Sequence, residues 1–584
     1  MTPLRVANCS GFFGDRLSAA REMVGGGPID VLTGDWLAEL TMGVLLKQQR
    51  RSPAGGYAET FLTQLDQVLS DCLSRGIKIV SNAGGLNPTG CAHAVTQLAE
   101  QLGLRVRVAV VSGDDATAAF RQAQKRGWSA PHLDTAAPFS ELGVDLDVAN
   151  AYLGCWGIAD ALGAGADVVI TGRVVDAALV MGPAAWHFGW ERGDWDRLAG
   201  AVAAGHVIEC GAQATGGNFS FFQQVPGLER AGFPIAEIHA DGSSIITKHP
   251  GTGGTVTVET VTAQLLYEID GPAYLTPDVV ARFDELQLVQ VAPDRVAISG
   301  AHGDPAPDTL KVGALCHAGY RSSTTFVLTG LEVEAKADLA QRALWAAVPG
   351  GEAAFRETSA RLLRYDRSDP GSMQEAVAML TVSVAAAEAA PVASFGRAAV
   401  ATALASYPGL HLTAPPAPAS GYTVFWPTLM PAVDFVQRVT FEGRTWAVQG
   451  PERRQLPATS QPAPRVAGLA DEPTVRVPLG QLVGSRSGDK AGNATLGLWA
   501  RDDDAYAWLR SWWDEERLRA LVPDAARCPI RLWEVRSLRA VGCTIVGLLG
   551  LGVAASLALD SQAKGLGEYV RARLVDVPAS LLRG

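Results

Sequence analysis

The 584-residue sequence lacks the short motifs that mark the commonest enzyme classes. It contains neither the GxGxxG dinucleotide fingerprint nor the GxxxxGK[ST] phosphate loop, and neither an HExxH zinc motif nor a GxSxG nucleophile elbow. The nine His residues are scattered, without the paired His/Cys spacing of a zinc site. These absences argue against common dehydrogenases, P-loop NTPases and hydrolases, and we predict neither a metal site nor a cofactor.

Cysteine is sparse, and basic residues do not cluster. The eight Cys residues form no CxxC pair and lack the dense spacing of a disulfide scaffold, which favours reduced thiols. The net charge is -11 and no Lys/Arg stripe is present, so we expect no nucleic-acid or membrane partner. The N-terminal segment reaches charged residues without the apolar core of a signal peptide. We therefore expect a cytoplasmic protein.

One apolar run, residues 541–559 (VGCTIVGLLGLGVAASLAL), is long enough to cross a bilayer. It begins as β-branched strand sequence, passes through three Gly residues and ends in the helical pattern AASLALD. No basic flank or aromatic anchor borders it. We interpret it as a buried strand, turn and helix.

Short apolar runs alternate with helical segments over about the first 240 residues, a pattern typical of βαβ units around a parallel sheet. Farther along, EIHADGSSIITK, GGTVTVETVTAQLLYEI and DRVAISGA alternate β-branched and polar residues, which indicates antiparallel strands. KADLAQRALWAAV and EAVAMLTVSVAAAEAA have helical patterns. The predicted class is α/β, with a Rossmann-like mostly parallel sheet and an antiparallel or mixed extension.

The chain is too long for one hydrophobic core. We predict an N-terminal α/β region at 1–450, with a division near 240–270 as an alternative. A Pro-rich linker follows at 451–475. Residues 476–584 form a small α+β domain.

Several polar loops follow predicted strands, and the carboxyl ends of parallel strands converge on one crevice where ligands bind. Amides of the opening loop SGFFGDR could hold an anion, although Asp15 could instead stabilise a helix N-terminus. The Asn residues of SNAGGLNP could bind a carbonyl or stabilise a turn, and Arg173 could clamp a carboxylate or pair with Asp176. The substrate-binding candidates of these loops are Asp15, Arg16, Asp35, Asn82, Asn87, Thr171 and Arg173.

Residues 209–218 (ECGAQATGGN) are the densest polar cluster of the chain. Glu209 could act as a general acid or base if burial raises its pKa, whereas Cys210 would need a thiolate to act as a nucleophile and is otherwise a small hydrophobe. The loop after Lys248 combines a cation with exposed amides, as an oxyanion site does, or is a Gly-rich hairpin. The catalytic candidates are Glu209, Lys248, Asp176 and Cys210, and the positioning candidates are Gln213, Thr215, Asn218 and Thr252.

The segment 486–493 (RSGDKAGN) is predicted to be a second anion-binding loop. Its candidate residues are Asp489, Lys490 and Asn493. The alternative is a tight turn with a surface pair between Asp489 and Lys490.

Longer stretches carry a family resemblance. SGFFGDRLSAAREMV, GIKIVSNAGGLNPTG, GADVVITGRVVDAALV and GHVIECGAQATGGNFSFF resemble the AtuA-like N-terminal domain of the acyclic terpene utilisation family. RSGDKAGNATLGLWA and GVAASLALDSQAKGLGEYVRARLVDVP resemble the ferredoxin-like domain that accompanies it, although Leu551 interrupts a turn expected to be Gly-only. The resemblance implies a role in the catabolism of acyclic terpenes or related branched acids, through CoA thioesters and a biotin carboxylase. The AMKM segment that attaches biotin is absent.

The loops and the resemblance together predict a redox-neutral hydratase or lyase that acts on a branched acyl-CoA or a carboxylated intermediate, with CoA as part of the substrate. In this hypothesis Glu209 moves the proton and Lys248 holds the thioester enolate, while Arg173, Asn82 and Asn87 orient the substrate. One alternative is a noncatalytic acyl-CoA-binding partner of a pathway carboxylase or dehydrogenase. Another is a nucleotide- or metal-dependent ligase-like enzyme. A homo-oligomer is the expected assembly.

Overall fold

The computed structural model describes residues 2–455 and 472–582. The strands, numbered along the chain, are β1 (Leu4–Asn8), β2 (Val31–Gly34), β3 (Lys78–Ser81), β4 (Val108–Ser112), β5 (Val148–Ala151), β6 (Val168–Thr171), β7 (Pro234–Ile238), β8 (Ser244–Lys248), β9 (Ala273–Leu275), β10 (Val279–Arg282), β11 (Gln287–Ala292), β12 (Arg295–Ser299), β13 (His302–Pro307), β14 (Thr309–Thr329), β15 (Glu357–Arg364), β16 (Val377–Ala386), β17 (His411–Leu412), β18 (Ser420–Pro431), β19 (Arg438–Phe441), β20 (Arg444–Ala447), β21 (Arg453–Arg454), β22 (Thr474–Pro478), β23 (Val483–Lys490), β24 (Asn493–Ala500), β25 (Ile530–Val535), β26 (Ala540–Ile545) and β27 (Leu574–Pro578). The helices are α1 (Ala19–Gly25), α2 (Glu39–Arg51), α3 (Glu59–Asp66), α4 (Leu69–Arg75), α5 (Pro88–Gln101), α6 (Thr117–Lys125), α7 (Trp156–Gly163), α8 (Ala178–Phe188), α9 (Trp195–Ile208), α10 (Val258–Leu265), α11 (Val333–Ala347), α12 (Ala389–Ala401), α13 (Asp503–Trp512), α14 (Glu515–Leu521) and α15 (Leu566–Ala572).

A mixed sheet of 11 strands forms the centre of the molecule, in the order β11-β12-β8-β7-β1-β2-β3-β6-β4-β19-β20. The five adjacent strands β1, β2, β3, β6 and β4 are parallel to one another. Antiparallel strands extend the sheet on both sides, with β7, β8, β12 and β11 next to β1 and with β19 and β20 next to β4. The fold is therefore mixed α/β, and the carboxyl ends of its five parallel strands lie along one edge.

The remaining strands form smaller sheets. The 21-residue strand β14 pairs with β16, β17, β18 and β5. Near the C-terminus, β23, β24, β26 and β25 form an antiparallel sheet that packs with α13, α14 and α15, and β22 pairs with β27. We call residues 474–582 the C-terminal unit.

Helix α9 is buried from Leu198 to Ile208 and packs against α8, α10 and strands of two sheets. Its sequence is rich in Ala and Gly, which lets neighbouring backbones approach closely. A Cβ atom added at Gly200 would lie 2.1 Å from the carbonyl oxygen of Gly242, which follows β7. This close packing fixes the end of α9, where Glu209 is located.

Three of the predicted elements are wrong. The predicted strand region GGTVTVETVTAQLLYEI contains helix α10, which begins with a capping box between Thr257 and Thr260. The helical pattern EAVAMLTVSVAAAEAA instead contains the strand β16, because its Val and Thr residues pair with the long β14. In the apolar run 541–559 the strand is confirmed as β26, but AASLALD forms turns and the next helix begins at Leu566.

Two further sequence predictions concern the Pro-rich linker and the possibility of a membrane span. Residues 456–471 of the Pro-rich linker predicted at 451–475 lie outside the described residues. Over the part of the chain that the structure describes, no helix combines the length and the hydropathy needed to cross a membrane.

Gly200→Ala should destabilise the protein, although Ala normally stabilises a helix interior by about 1 kcal/mol relative to Gly. The contact with the Gly242 backbone forces overpacking, which typically costs about 1–3 kcal/mol. We expect a lower Tm in thermal unfolding. Gly163→Ala is the matched control, because Gly163 is also helical and its added Cβ would meet nothing closer than 3.9 Å. A Tm for Gly200→Ala at or above the wild-type value would contradict the close packing.

Candidate functional site

The loops that follow the parallel strands form a connected buried network. After β2, the Asp35 carboxylate accepts hydrogen bonds from Asn82 Nδ2 at 2.6 Å and from the Leu37 amide at 2.8 Å. Asn82 follows β3, and its Oδ1 accepts from the Trp36 amide at 2.8 Å. Asp35 is 6% exposed, and burial together with the charge of Asp176 raises its pKa well above the usual value. Both polar atoms of the Asn82 side chain therefore bind the loop that contains Trp36 and Asp35, and they stabilise that loop.

Arg173 follows β6 and is also held from several sides. Its Nη2 lies 2.9 Å from Asp176 Oδ1, its Nη1 donates to the Leu37 carbonyl, and its guanidinium lies 4.2 Å from the ring centroid of Tyr152. Of the two interpretations of Arg173 that the sequence allowed, a clamp for a substrate carboxylate and an ion pair with Asp176, the ion pair is present. Arg173 Nε is buried and has no hydrogen-bond partner among the described residues, so the guanidinium keeps one donor for a ligand.

Asp114, which follows β4, fixes the backbone of Arg173. Its Oδ2 accepts from the Arg173 amide at 2.8 Å and from Asn150 Nδ2 at 2.9 Å. A Cβ at Gly172 would lie 2.4 Å from Asp114 Oδ1, so the glycine permits the approach. Burial raises the pKa of Asp114 to about 6.

Glu209 lies directly after α9, and its side chain is 10% exposed. Its Oε1 lies 3.2 Å from His206 Nδ1, while its Oε2 is buried without a hydrogen-bond partner in the described part of the chain. Burial, and then the charges of Asp176 and Glu268, raise the pKa of Glu209 well above its usual value. Burial lowers the pKa of His206 to about 4, so the imidazole is neutral near pH 7. Burial therefore favours the protonated form of Glu209 over the carboxylate.

Cys210 lies next to Glu209 but is not activated as a nucleophile. Burial and the neighbouring charges of Glu209 and Glu268 raise the pKa of its thiol well above the usual value. A nucleophilic Cys requires a lowered pKa. The environment therefore favours the interpretation of Cys210 as a small buried side chain.

Lys248 is placed at the end of β8 and pairs with an acid that the sequence did not indicate. Its Nζ lies 3.1 Å from Asp294 Oδ2 and donates to the Thr252 carbonyl at 2.8 Å. Thr252 Oγ1 donates to the His249 carbonyl at 2.7 Å. These contacts stabilise the hairpin loop, which was the alternative interpretation of this motif.

Several other predicted site residues support local backbone. Asn87 caps α5 by accepting from the Gly90 amide at 2.9 Å, and Asp15 accepts from the Gly11 and Arg16 amides. Thr215 Oγ1 donates to the Gly232 carbonyl at 2.7 Å. Further contacts within the fold are made by Arg16 with Glu22 and the Ala231 carbonyl, by Thr171 with the Gly172 carbonyl, and by the Asn218 carbonyl with Arg486. Gln213 differs, because its Oε1 is buried and has no partner among the described residues.

The predicted loop 486–493 is largely a strand. Residues 486–490 belong to β23, Ala491 and Gly492 form the hairpin turn, and Asn493 Oδ1 accepts from the Gly547 amide at 3.0 Å. The turn contacts α2, since the Ala491 amide donates to Glu39 Oε2 at 3.1 Å.

Strand β23 docks on residues 267 and 268 of the N-terminal region. Arg486 lies 4.3 Å from the ring centroid of Tyr267, and Lys490 Nζ donates to the Glu268 carbonyl at 3.0 Å. Lys564 Nζ lies 3.3 Å from Glu268 Oε1 and 3.2 Å from Asp489 Oδ1. Burial raises the pKa of Asp489 to about 6. The C-terminal unit therefore packs over this part of the N-terminal region. Lys490 Nζ lies 5.9 Å from the ring centroid of Tyr274, which lies 4.8 Å from that of His206 beside Glu209.

Four residues of this site were not among the sequence candidates: His206, Asp114, Glu268 and Arg486. His206 and Glu209 are three residues apart, a helical spacing that places side chains on one face and that could have indicated the pair. Asp114 follows a predicted strand in the same way as Asp35. Arg486 begins the segment 486–493 that was predicted to bind an anion, although it was not among the candidate residues of that segment. For Glu268 the sequence holds no comparable signal, because its proximity depends on the docking of the C-terminal unit.

Comparisons with known proteins identify two family models along the chain. The model described as acyclic terpene utilisation family protein AtuA matches residues 4–441. The model described as AtuA ferredoxin-like domain matches residues 477–576. No curated protein and no solved structure matches the chain.

Asp114→Asn should change how stability depends on pH. Because the folded-state pKa of Asp114 is raised from 3.8 to about 6, the stabilisation from its proton is complete below about pH 4 and is lost as pH rises through 6. The amide cannot lose this proton. We therefore expect the Tm of the wild type to fall relative to that of Asp114→Asn between about pH 4 and pH 7, by the equivalent of about 3 kcal/mol at most. The exposed Asp66→Asn is the control. A pH-independent difference between Asp114→Asn and wild type would contradict the raised pKa.

Proposed function

The chain belongs to the acyclic terpene utilisation AtuA family and carries the ferredoxin-like domain of that family, and from this premise we propose that it is a redox-neutral hydratase or lyase. Family membership connects it with the acyclic terpene utilisation pathway. Its proposed substrate is a branched acyl-CoA thioester or a related carboxylated intermediate of that pathway.

The environment of Glu209 carries this proposal. A buried carboxylic acid with a raised pKa keeps its proton to a higher pH than a free one, which suits a general acid. Oε2 is buried without a partner among the described residues, so a substrate atom can take the place of a missing hydrogen-bond partner. The α9 helix holds this group rigidly, because its packing leaves no space for movement around Gly200.

Asp176 and Arg173 supply the complementary groups. The Asp176 carboxylate pairs with Arg173, and its charge helps to raise the pKa of Glu209. We assign Asp176 as the base that acts together with this acid. In the hydration of an α,β-unsaturated thioester, the water oxygen bonds to the β-carbon and the water proton passes to the base. The acid delivers a proton to the α-carbon, so that one water molecule is added and no electron acceptor is needed. Arg173 Nε is the donor available to orient the substrate carbonyl.

This assignment differs from the sequence hypothesis in the role of Lys248. Since Lys248 pairs with Asp294 and the Thr252 carbonyl, we assign it to the hairpin loop rather than to the enolate. We assign Asn82 and Asn87 to the support of Asp35 and of helix α5. CoA is proposed as part of the substrate, and no separate cofactor is included.

The exposed apolar residues of the edge strand β11 favour a second candidate function. In it, the protein is a noncatalytic acyl-CoA-binding partner of a pathway carboxylase or dehydrogenase. Val289 and Val291 of this edge strand are 53% and 51% exposed, and Val291 lies at an irregularity in the pairing with β12. Exposed apolar residues at a sheet edge are typical of surfaces that contact another chain.

Glu209→Gln should lower turnover about 100-fold or more, because the amide cannot transfer the proton that a positioned acid supplies. Turnover by the wild type should also fall as pH rises through the raised pKa of Glu209, since the acid form is then lost. The exposed Glu229→Gln should turn over at the wild-type rate. Turnover by Glu209→Gln within a fewfold of wild type would remove Glu209 from the mechanism.

Mass spectrometry of branched acyl-CoA thioesters incubated with the protein provides the assay. The panel includes geranyl, citronellyl, isohexenylglutaconyl and methylcrotonyl thioesters, without an added cofactor. A gain or loss of water, or cleavage to a smaller thioester, supports the enzyme. Unchanged thioesters that nevertheless raise the Tm support the binding partner instead.

A further inference from the structure

Arg486 and Lys490 carry positive charge into the contact between the C-terminal unit and the crevice. They are four residues apart on β23, so their side chains leave the same face of the strand. Gly488 lies between them on that face, and a Cβ there would lie 2.6 Å from the Tyr267 ring. This face of β23 therefore packs directly on the N-terminal region.

Neither cation has a carboxylate partner. Among residues 2–455 and 472–582, no carboxylate oxygen lies within the 4.0 Å that defines an ion pair from either side chain. Arg486 is 7% exposed, and its Nη2 has no hydrogen-bond partner in the same described ranges. Lys490 Nζ donates to a neutral carbonyl, that of Glu268. Buried charges are normally paired, because desolvating an isolated charge is costly.

The neighbouring cations contrast with these two. Arg173 pairs with Asp176 at 2.9 Å, and Lys311 pairs with Glu39 at 3.2 Å. Lys564 lies between Glu268 and Asp489. Because the carboxylates of this region are engaged by those residues, Arg486 and Lys490 retain charge for a ligand.

A chain of contacts connects the two cations to the proposed acid. Lys490 Nζ lies 5.9 Å from the ring centroid of Tyr274, which lies 4.8 Å from that of His206, and His206 Nδ1 lies 3.2 Å from Glu209 Oε1. Arg486 Nη1 donates to the Asn218 carbonyl, at the end of the segment 209–218. An anion bound by these two cations would therefore lie close to the proposed acid. Its binding residues would come from the ferredoxin-like domain, whereas the acid comes from the AtuA domain.

We propose that Arg486 and Lys490 form a carboxylate-binding site through which the ferredoxin-like domain completes the active site. The substrate therefore bears a free carboxylate in addition to its reacting carbonyl. A guanidinium binds a carboxylate with matched geometry. A phosphate dianion suits the site less, because it concentrates two negative charges on one group near the Glu268 and Asp489 carboxylates, whereas each carboxylate of a dicarboxylic acid carries one charge. The statement that this site completes an active site rests on the proposed function. The binding of a carboxylate by Arg486 and Lys490 does not depend on it.

The test measures binding of glutarate to the full-length chain by isothermal titration calorimetry at low salt. Glutaramide, which is uncharged, and inorganic phosphate serve as comparison ligands. We expect wild type to bind glutarate more tightly than either comparison ligand. Arg486→Gln and Lys490→Gln should each weaken glutarate binding at least about tenfold, as expected for the loss of a hydrogen bond to a charged group.

Arg476→Gln is the matched control, since Arg476 lies in the same domain and pairs with Asp576 on the exposed ribbon of β22 and β27. It should bind glutarate as wild type does. Arg486→Lys keeps the charge and loses the planar fork, so its affinity should fall between those of wild type and Arg486→Gln. If Arg486→Gln does not fold, Arg486→Lys and Lys490→Gln decide the question.

The proposal is overturned if wild type does not bind glutarate, if both charge-removing variants bind it as wild type does, or if phosphate or glutaramide binds equally well. Glu209→Gln separates this result from the fate of the proposed function. Normal turnover by Glu209→Gln would reject Glu209 as the acid. It would not reject the carboxylate site, because that site is tested by glutarate binding, which should persist in Glu209→Gln.

Discussion

Exclusion of water from the edge where the parallel strands end is the constraint on which the rest of the site depends. Burial favours the protonated form of a carboxylic acid, and it is the largest cause of the raised pKa of Glu209. The cover is provided by β23, whose small residue Gly488 allows the strand to lie against Tyr267. The same burial acts on Asp35 and Asp114, which hold the loops around Arg173. One physical effect, burial, therefore raises the pKa of the proposed acid and of the two carboxyl groups that support the site.

Burial also makes the geometry around Arg173 rigid. Its side chain contacts Asp176, the Leu37 carbonyl and the face of Tyr152, while its backbone is held by Asp114. Each contact comes from a different strand end. Such over-determined placement is what a site requires when it must hold a substrate within a fraction of an ångström of a reacting group.

The sequence predicts most where the pattern is local. Strand runs that end in polar turns predict β2, β3 and β6 and place Asp35, Asn82 and Arg173 at one edge. It fails where the partner of a segment is distant. The pairing of β16 with β14 overrides a helical pattern. The Asp294 carboxylate, 46 positions from Lys248 in sequence, pairs with that lysine, which therefore stabilises a hairpin loop rather than an enolate. Arg486 acquires its environment from another domain, which no spacing within its own segment encodes.

The long strand β14 has a consequence for how the chain is made. It lies at residues 309–329 and pairs with β5 at residues 148–151, while β4 pairs with β19 at residues 438–441. These pairings cross the division near 240–270 that the sequence leaves open, so the first half of the chain does not hold all the partners of its own strands. During synthesis, β4 and β5 leave the ribosome some 150 or more residues before the segments that cover them. The nascent chain therefore exposes unpaired strand edges over a long interval, and its folding in the cell should require chaperones to a degree that a sequentially closed domain does not.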